Sequence, residues 1–293
     1  MGKTVLITGT STGIGRACVE RMAADGWTVY AGVRKQADGD DVATISGDVR
    51  PVILDVTKPE QLEAVIAQLS DELRGRGLDG LVNNAGVAFG GPIEALSDEA
   101  WQQHFDTNVF GQVRVTRELL PLIIEAKGRV VNIASVSGRV GTSMLAPYAA
   151  GKHALEAFTQ ALRFEMADFG VKVACVEPGE VQSAIWAKGD ELLEKIEADF
   201  SADVLSRYRR HIDMLTGFMS DGPKHGVPAS RAAKAVHRAL TSPWPKHRYL
   251  VGPDAKLTGV LGFFPDKLKA PSLALYAKRW ERSGRKMRKA AGR

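Results

Sequence analysis

Cysteine is nearly absent from this chain: 293 residues contain two, Cys18 and Cys175, each inside an apolar run. Two such thiols frame no disulfide scaffold and read as buried thiols in a reducing compartment. The six histidines are scattered, and no Cys/His spacing suits a metal, so no metal site is expected. No apolar run approaches the roughly 18 residues that a membrane-spanning helix needs. The chain starts almost at once on KTVLITGT, an apolar strand from residue 3 or 4, which leaves no stretch for a secretory signal. A cytoplasmic protein is the expectation. Internal repeats are missing, and no linker divides residues 1–252. Positive charge is scarce where it would matter for nucleic acid: residues 267–293 carry ten Lys/Arg against Glu281, a net +9, which leaves −4 for residues 1–266. A mildly acidic body with a basic tail points to no nucleic-acid partner.

What is present is an ordinary globular composition, 44% apolar and 25% charged, enough for a sizeable core. Short β-rich runs at 4–9, 28–33, 51–56, 80–85, 128–135, 172–178 and 248–252 alternate with helical patterns near 13–25, 59–74, 98–126, 147–169 and 228–241. Strands apolar on both faces and separated by helices imply a parallel sheet covered on both sides. The expected fold is therefore α/β, a Rossmann-like doubly wound sheet of about seven strands with helices on both faces. Ligands of such sheets bind beyond the carboxyl ends of the strands. Residues 1–255 read as one domain, with a lid over about 184–226, and 256–293 as a basic C-terminal extension.

The first strand runs into TGTSTGIG, residues 8–15. Gly9, Gly13 and Gly15 stand at a strand-to-helix turn, where missing side chains let the backbone approach a pyrophosphate and the helix N-terminus offers N–H groups to it. The spacing is not G-x-G-x-x-G, and a glycine turn before any helix is the competing reading. Further along, PYAAGKHALEAF places Tyr148 and Lys152 four residues apart, neighbours on one helical face. A cation beside a phenol favours the phenolate and pulls down a value that is otherwise near 10. That suits an enzyme moving a proton on or off an alcohol.

TGTSTGIG, NNAG (83–86), Ser135 at the end of the fifth strand and YAAGK (148–152) together resemble the short-chain dehydrogenase/reductase family, over about residues 4–252 and in the family's order. The match is to its shorter oxidoreductase branch. The resemblance implies a catalytic tetrad of Asn108, Ser135, Tyr148 and Lys152. Tyr148 would exchange the proton, and Lys152 would tune it and hold the nicotinamide ribose. Ser135 would hold the substrate oxygen, and Asn108 would position a relay water. It also implies cofactor contacts from Gly9, Ser11, Thr12, Gly13, Ile14 and Gly15, from Asp55 and Val56 at the adenine, and from Asn83, Ala85 and Gly86. Asn83 serves architecture or binding equally well. After the sixth strand, PGEVQS matches the stretch that holds the carboxamide, with Pro178, Gly179, Val181 and Ser183, the last replacing the usual Thr.

NAD-preferring members carry an acid at the end of strand two. Here Val33 occupies that position and Arg34 follows, which suits a 2′-phosphate, so NADP is expected and NAD remains possible. Arg34 is otherwise a solvated charge. Met144, Leu145, Trp186, Phe218 and Met219 are candidates for an apolar substrate pocket, or simply pack the lid. The strand VYAGVR and the long insert most resemble members acting on steroids, retinoids or other lipophilic alcohols. The implied activity is NADP-linked interconversion of an alcohol with its ketone or aldehyde, in a homodimer or homotetramer. The alternatives are a dinucleotide sensor that lost catalysis and a peripheral membrane protein. For the latter, the tail (256–293) would lie weakly on an anionic surface rather than pack or fray.

Overall fold

In β1 (Thr4–Thr8) every residue is buried, Val5 and Ile7 on one side of the sheet and Leu6 on the other. The same alternation continues in the neighbouring strands, so each strand feeds two cores, one per face. The computed structural model describes residues 2–182, 194, 196, 198–261 and 264–290. After β1 come α1 (Gly13–Ala24), β2 (Thr28–Val33), α2 (Gln36–Val42), β3 (Val49–Ile53), α3 (Pro59–Leu73) and β4 (Gly80–Asn83). Next are α4 (Asp98–Phe105), a π-helical turn (Asp106–Phe110), α5 (Gly111–Glu125), β5 (Arg129–Ile133), α6 (Ala146–Met166) and β6 (Lys172–Pro178). The rest comprises β7 (Val181–Gln182), α7 (Ala202–Arg207), α8 (Arg209–His225), β8 (Val227–Pro228), α9 (Ala229–Thr241), β9 (Arg248–Val251), α10 (Pro253–Leu261) and α11 (Asp266–Ala290).

The seven-stranded sheet is entirely parallel, in the order β3-β2-β1-β4-β5-β6-β9, and β7 pairs with β8 apart from it. Ile7 stands between Ala31 and Val82, so β1 is flanked by β2 and β4 and the winding reverses there. The expected doubly wound sheet is what forms. α1 and α9 cover one face through Val19, Met22, Ala232 and Val236, while α3, α5 and α6 cover the other through Leu62, Leu69, Leu119, Ile123 and Leu162.

One expectation changes. The single helix read over 98–126 is interrupted by the π turn, because buried Asn108 turns its amide onto the backbone of Val87 and the helix widens to let it. The basic tail, from Asp266, is a helix laid antiparallel along α8. Gly217 faces Trp280 and Gly284 faces Asp213, so closely that a Cβ on either glycine would overlap the opposite backbone. Trp280 is buried edge-on against Phe218 with ring centroids 5.6 Å apart, and Arg288 pairs with the buried Asp213.

Candidate active site

β1, β4, β5 and β6 end on the same side of the sheet, and the segments leaving them converge on one cavity of about 2030 Å³. Gly9 leaves β1 with φ 68°, a conformation that side chains disfavour, and a Cβ there would press on Ala85. Asn84 holds this turn from the next strand: its Nδ2 donates to the carbonyls of Thr8 and Gly9, both at 2.9 Å. α1 then begins with Thr12 in extended conformation, its side chain making no cap, and with no acid in the first turn. The leading N–H groups and the positive end of the helix dipole therefore face the cavity unopposed. This arrangement fits the pyrophosphate of a dinucleotide.

Ser11, Thr12, Gly13 and Ile14 line that end, with Arg34, Asp55, Val56, Ala85 and Gly86. Lys35 and Asp38, which sequence reasoning passed over, join Arg34 on the rim because α2 begins directly after β2. Asp55 accepts from the Thr57 N–H at 2.9 Å and from its hydroxyl at 2.7 Å.

Ser135 stands two residues past β5 and caps a short turn, its Oγ accepting from the Ser137 N–H at 3.2 Å. Tyr148 and Lys152 come from the first turns of α6, with the Lys152 ammonium 5.8 Å from the Tyr148 ring centre. Lys152 is buried and donates to the Ile133 carbonyl at 2.8 Å. Burial pulls it from an ordinary 10.5 to about 8, against the upward pull of Cys175 and Glu156. Burial also raises the Tyr148 phenol, opposed by a hydrogen bond with Ser135. The net direction at Tyr148 is thus opposite to the sequence expectation, because the same enclosure that brings the cation near removes water from the phenolate.

Asn108 lies behind this group rather than on the cavity wall. Its Oδ1 accepts from the Val87 N–H and its Nδ2 donates to the Val87 carbonyl, both at 2.9 Å, with His104 Nδ1 at 3.2 Å. His104 is fully buried, with Nε2 2.8 Å from the Phe89 carbonyl, and burial depresses its pKa. A histidine four residues before Asn108 gave no signal in the sequence; only the π turn brings the two rings of contacts together.

Three further candidates lie off the cavity lining. Asn83 is absent from the cavity lining: its Nδ2 donates to Thr116 Oγ1 at 2.7 Å and to Asn132 Oδ1 at 2.8 Å, a buried polar tie between β4, β5 and α5. Gly15 also lies off the lining, where α1 presses so closely on the Gly9 carbonyl that no side chain fits. Met144 turns away with φ 70° into the lid core beside Ile212, Leu215 and Met219. Leu145, Phe218 and Met219 do line the cavity, joined by Phe89, Met214, Leu215 and Trp280. Pro178, Gly179 and Val181 line it as expected, while Ser183 and Trp186 lie outside the described residues.

Beneath the floor, Cys175, Glu156 and Glu177 bring ligand-type atoms within 4.8 Å of one another. The Cys175 thiol donates to Glu156 Oε1 at 3.0 Å, Arg248 pairs with Glu156 at 2.9 Å, and Arg139 forks onto Glu177. Two guanidiniums already neutralise the two carboxylates, so this cluster is a tie between α6, β6, β9 and the turn after Ser135.

A family model described as short chain dehydrogenase matches residues 3–192. The mitochondrial D-beta-hydroxybutyrate dehydrogenase of Bos taurus is 36% identical over 268 residues, covering 84% of this chain and 76% of that protein. The NADPH-dependent 3-dehydrocapnine reductase of Ornithobacterium rhinotracheale is 30% identical over 270 residues, covering 90% and 93%. Among solved structures, a short-chain dehydrogenase from Streptomyces avermitilis superposes with a TM-score of 0.73 at 30% identity, covering 97% of this chain and 98% of that one.

Proposed function

We propose, from the premise that the chain belongs to the short-chain dehydrogenase family, that it is an NADP-linked oxidoreductase interconverting a lipophilic alcohol and its carbonyl compound. The observation that carries this reading is the convergence of Ser135, Tyr148 and Lys152 in the same cavity as the uncapped N-terminus of α1. When bound, the nicotinamide supplies the hydride acceptor or donor.

The chain's own part is proton handling and position. Ser135 holds the substrate oxygen, and Tyr148 takes its proton in oxidation or returns it in reduction. Lys152 is close enough to neutrality to pass that proton onward, and the Asn108 amide is committed to Val87. A relay water therefore falls to the main-chain carbonyl of Asn108 in the wide turn, rather than to its side chain. Arg34 and Lys35 on the adenosine rim favour a 2′-phosphate over Asp38 beside them. The apolar wall of Leu145, Leu215, Phe218 and Met219 supports a lipophilic substrate. The unit is residues 1–255, with α8 and the tail helix contributing to the wall of its pocket.

Titration with NADPH and NADH, followed by energy transfer from the five tryptophans, tests the reading. Tight NADPH binding with weaker NADH is expected. Binding of neither nucleotide removes the enzyme hypothesis, and an NADH preference reverses the cofactor assignment.

A further inference from the structure

The tail helix does more than pack. Its inward face carries Trp280 and Arg288, both seated on α8, and Glu281, which pairs with Arg210 at 2.8 Å. Arg285 is taken up by Glu281 and Asp213. Lys278, Arg279 and Arg282 are different: they line the cavity, and among the described residues they form no ion pair. Lys278 and Arg282, spaced i and i+4, share one side of the helix, and Arg279 flanks them over the Trp280 ring. The close crossing at Gly217 and Gly284 holds that stripe in place.

The cavity that these cations share with Ser135 carries an apolar wall of Leu145, Met214, Leu215, Phe218 and Met219. No ion pair joins these cations to an acid of the cavity lining among the described residues. Asp98, Glu99 and Asp106 come from α4 and the π turn, and Asp254 accepts from the Glu180 N–H at 2.7 Å. The phosphates of a dinucleotide have their own provision at α1, Arg34 and Lys35.

Resting on the oxidoreductase reading above, we propose that Lys278, Arg279 and Arg282 form an anion subsite, so that the substrate is an amphiphile with an acidic group, a carboxylate or its sulfonate or phosphate equivalent, remote from the reacting carbon. The charge on the ligand matches three cations that form no ion pair among the described residues, although Arg279 also lies over the Trp280 ring at 5.2 Å, and the apolar wall matches its body.

Oleate and methyl oleate are the probes, bound to full-length protein saturated with NADPH and followed by the fluorescence of Trp280 against a Trp280→Phe reference. Wild type is expected to bind the acid about tenfold or more tightly than the ester. Lys278→Gln/Arg279→Gln/Arg282→Gln should erase that preference while leaving methyl oleate and NADPH affinities within about twofold. The control Lys286→Gln/Lys289→Gln, on the same helix but off the cavity, should leave the preference intact. Equal binding of acid and ester by wild type overturns the subsite without any variant. So does a triple variant that loses both ligands alike, or one that loses NADPH instead, which would assign the cations to the cofactor. Turnover separates the two readings. An oxo fatty acid bound selectively but not reduced sinks the oxidoreductase assignment alone, whereas an oxo ester reduced as well as its acid sinks the subsite alone.

Discussion

The Lys152 ammonium donates to the Ile133 carbonyl at 2.8 Å, and Ile133 is two residues before Ser135. One contact thus moors α6, which carries Tyr148, to the strand end that carries the serine. The register of the two groups facing the substrate oxygen rests on this mooring.

The mooring has a cost that depends on pH. Lys152 stands at about 8 in the folded chain against 10.5 ordinarily, so the unfolded state binds more protons between those values. This group's contribution to stability therefore rises with pH from about 8 to 10.5 and is a constant penalty below. Lys152→Met removes the penalty and should gain about 2–3 kcal/mol near pH 7 once the lost hydrogen bond is deducted, with the gain shrinking towards pH 10.5. Urea unfolding at both pH values reads this, and a gain independent of pH would mean that the ammonium is not the origin.

Tyr148→Phe should slow turnover by about 10²- to 10⁴-fold, since it deletes the proton-transferring hydroxyl alone. The ring keeps its edge contact with His104, at 6.4 Å between centroids, so NADPH affinity should stay within about twofold. Single-turnover kinetics with a fluorescence titration measure both. Activity within about tenfold of wild type would place the proton elsewhere.

Arg34→Ala should weaken NADPH by about tenfold or more and NADH little, because a guanidinium on a phosphate makes a charge-assisted bond that a ribose hydroxyl does not replace. Parallel nucleotide titrations decide it. Equal losses would show that Arg34 merely shapes the rim.

Asn83→Ala should cost about 2–4 kcal/mol, since it strips partners from Thr116 and Asn132 in a dry interior. NADPH affinity of the folded variant should not change. A specific loss of nucleotide affinity at undiminished stability would return Asn83 to the cofactor site.

Phe164 on α6 is 79% exposed and Phe110, the last residue of the π turn before α5, is 49% exposed, apolar surface that suits a subunit contact through these helices. Phe164→Glu should shift a dimer or tetramer towards monomer in sedimentation equilibrium. An unchanged oligomer would move the contact to another face.

Local chemistry was legible before any coordinates. The alternation in TVLIT carries both cores, the TGTSTGIG turn needs its glycines, and the i, i+4 spacing of Tyr148 and Lys152 follows from one helical turn. Even the boundary errors are local: β1 stops at Thr8 because Gly9 turns away. Asn108 shows where such reading ends. Its position was identifiable, but its amide is spent on Val87, 21 residues earlier, in a turn that helical periodicity does not register.

What the sequence by itself determined is therefore what period and spacing encode within one element: a parallel two-faced sheet, a phosphate-shaped turn, a phenol beside an ammonium. The tertiary structure alone decided which polar groups face the cavity and which brace the frame. It set Asn83 on Thr116 and Asn132, joined Arg139 to Glu177 and Arg248 to Glu156, and laid Trp280 against Phe218. It also set the protonation balance of the central pair, because desolvation depends on everything packed around a group. These partners stand 33 to 92 residues apart, among them the tail helix, whose 62-residue return to α8 turned a basic appendage into a wall of the cavity. No local pattern specifies a contact at that separation; the closing of both cores does.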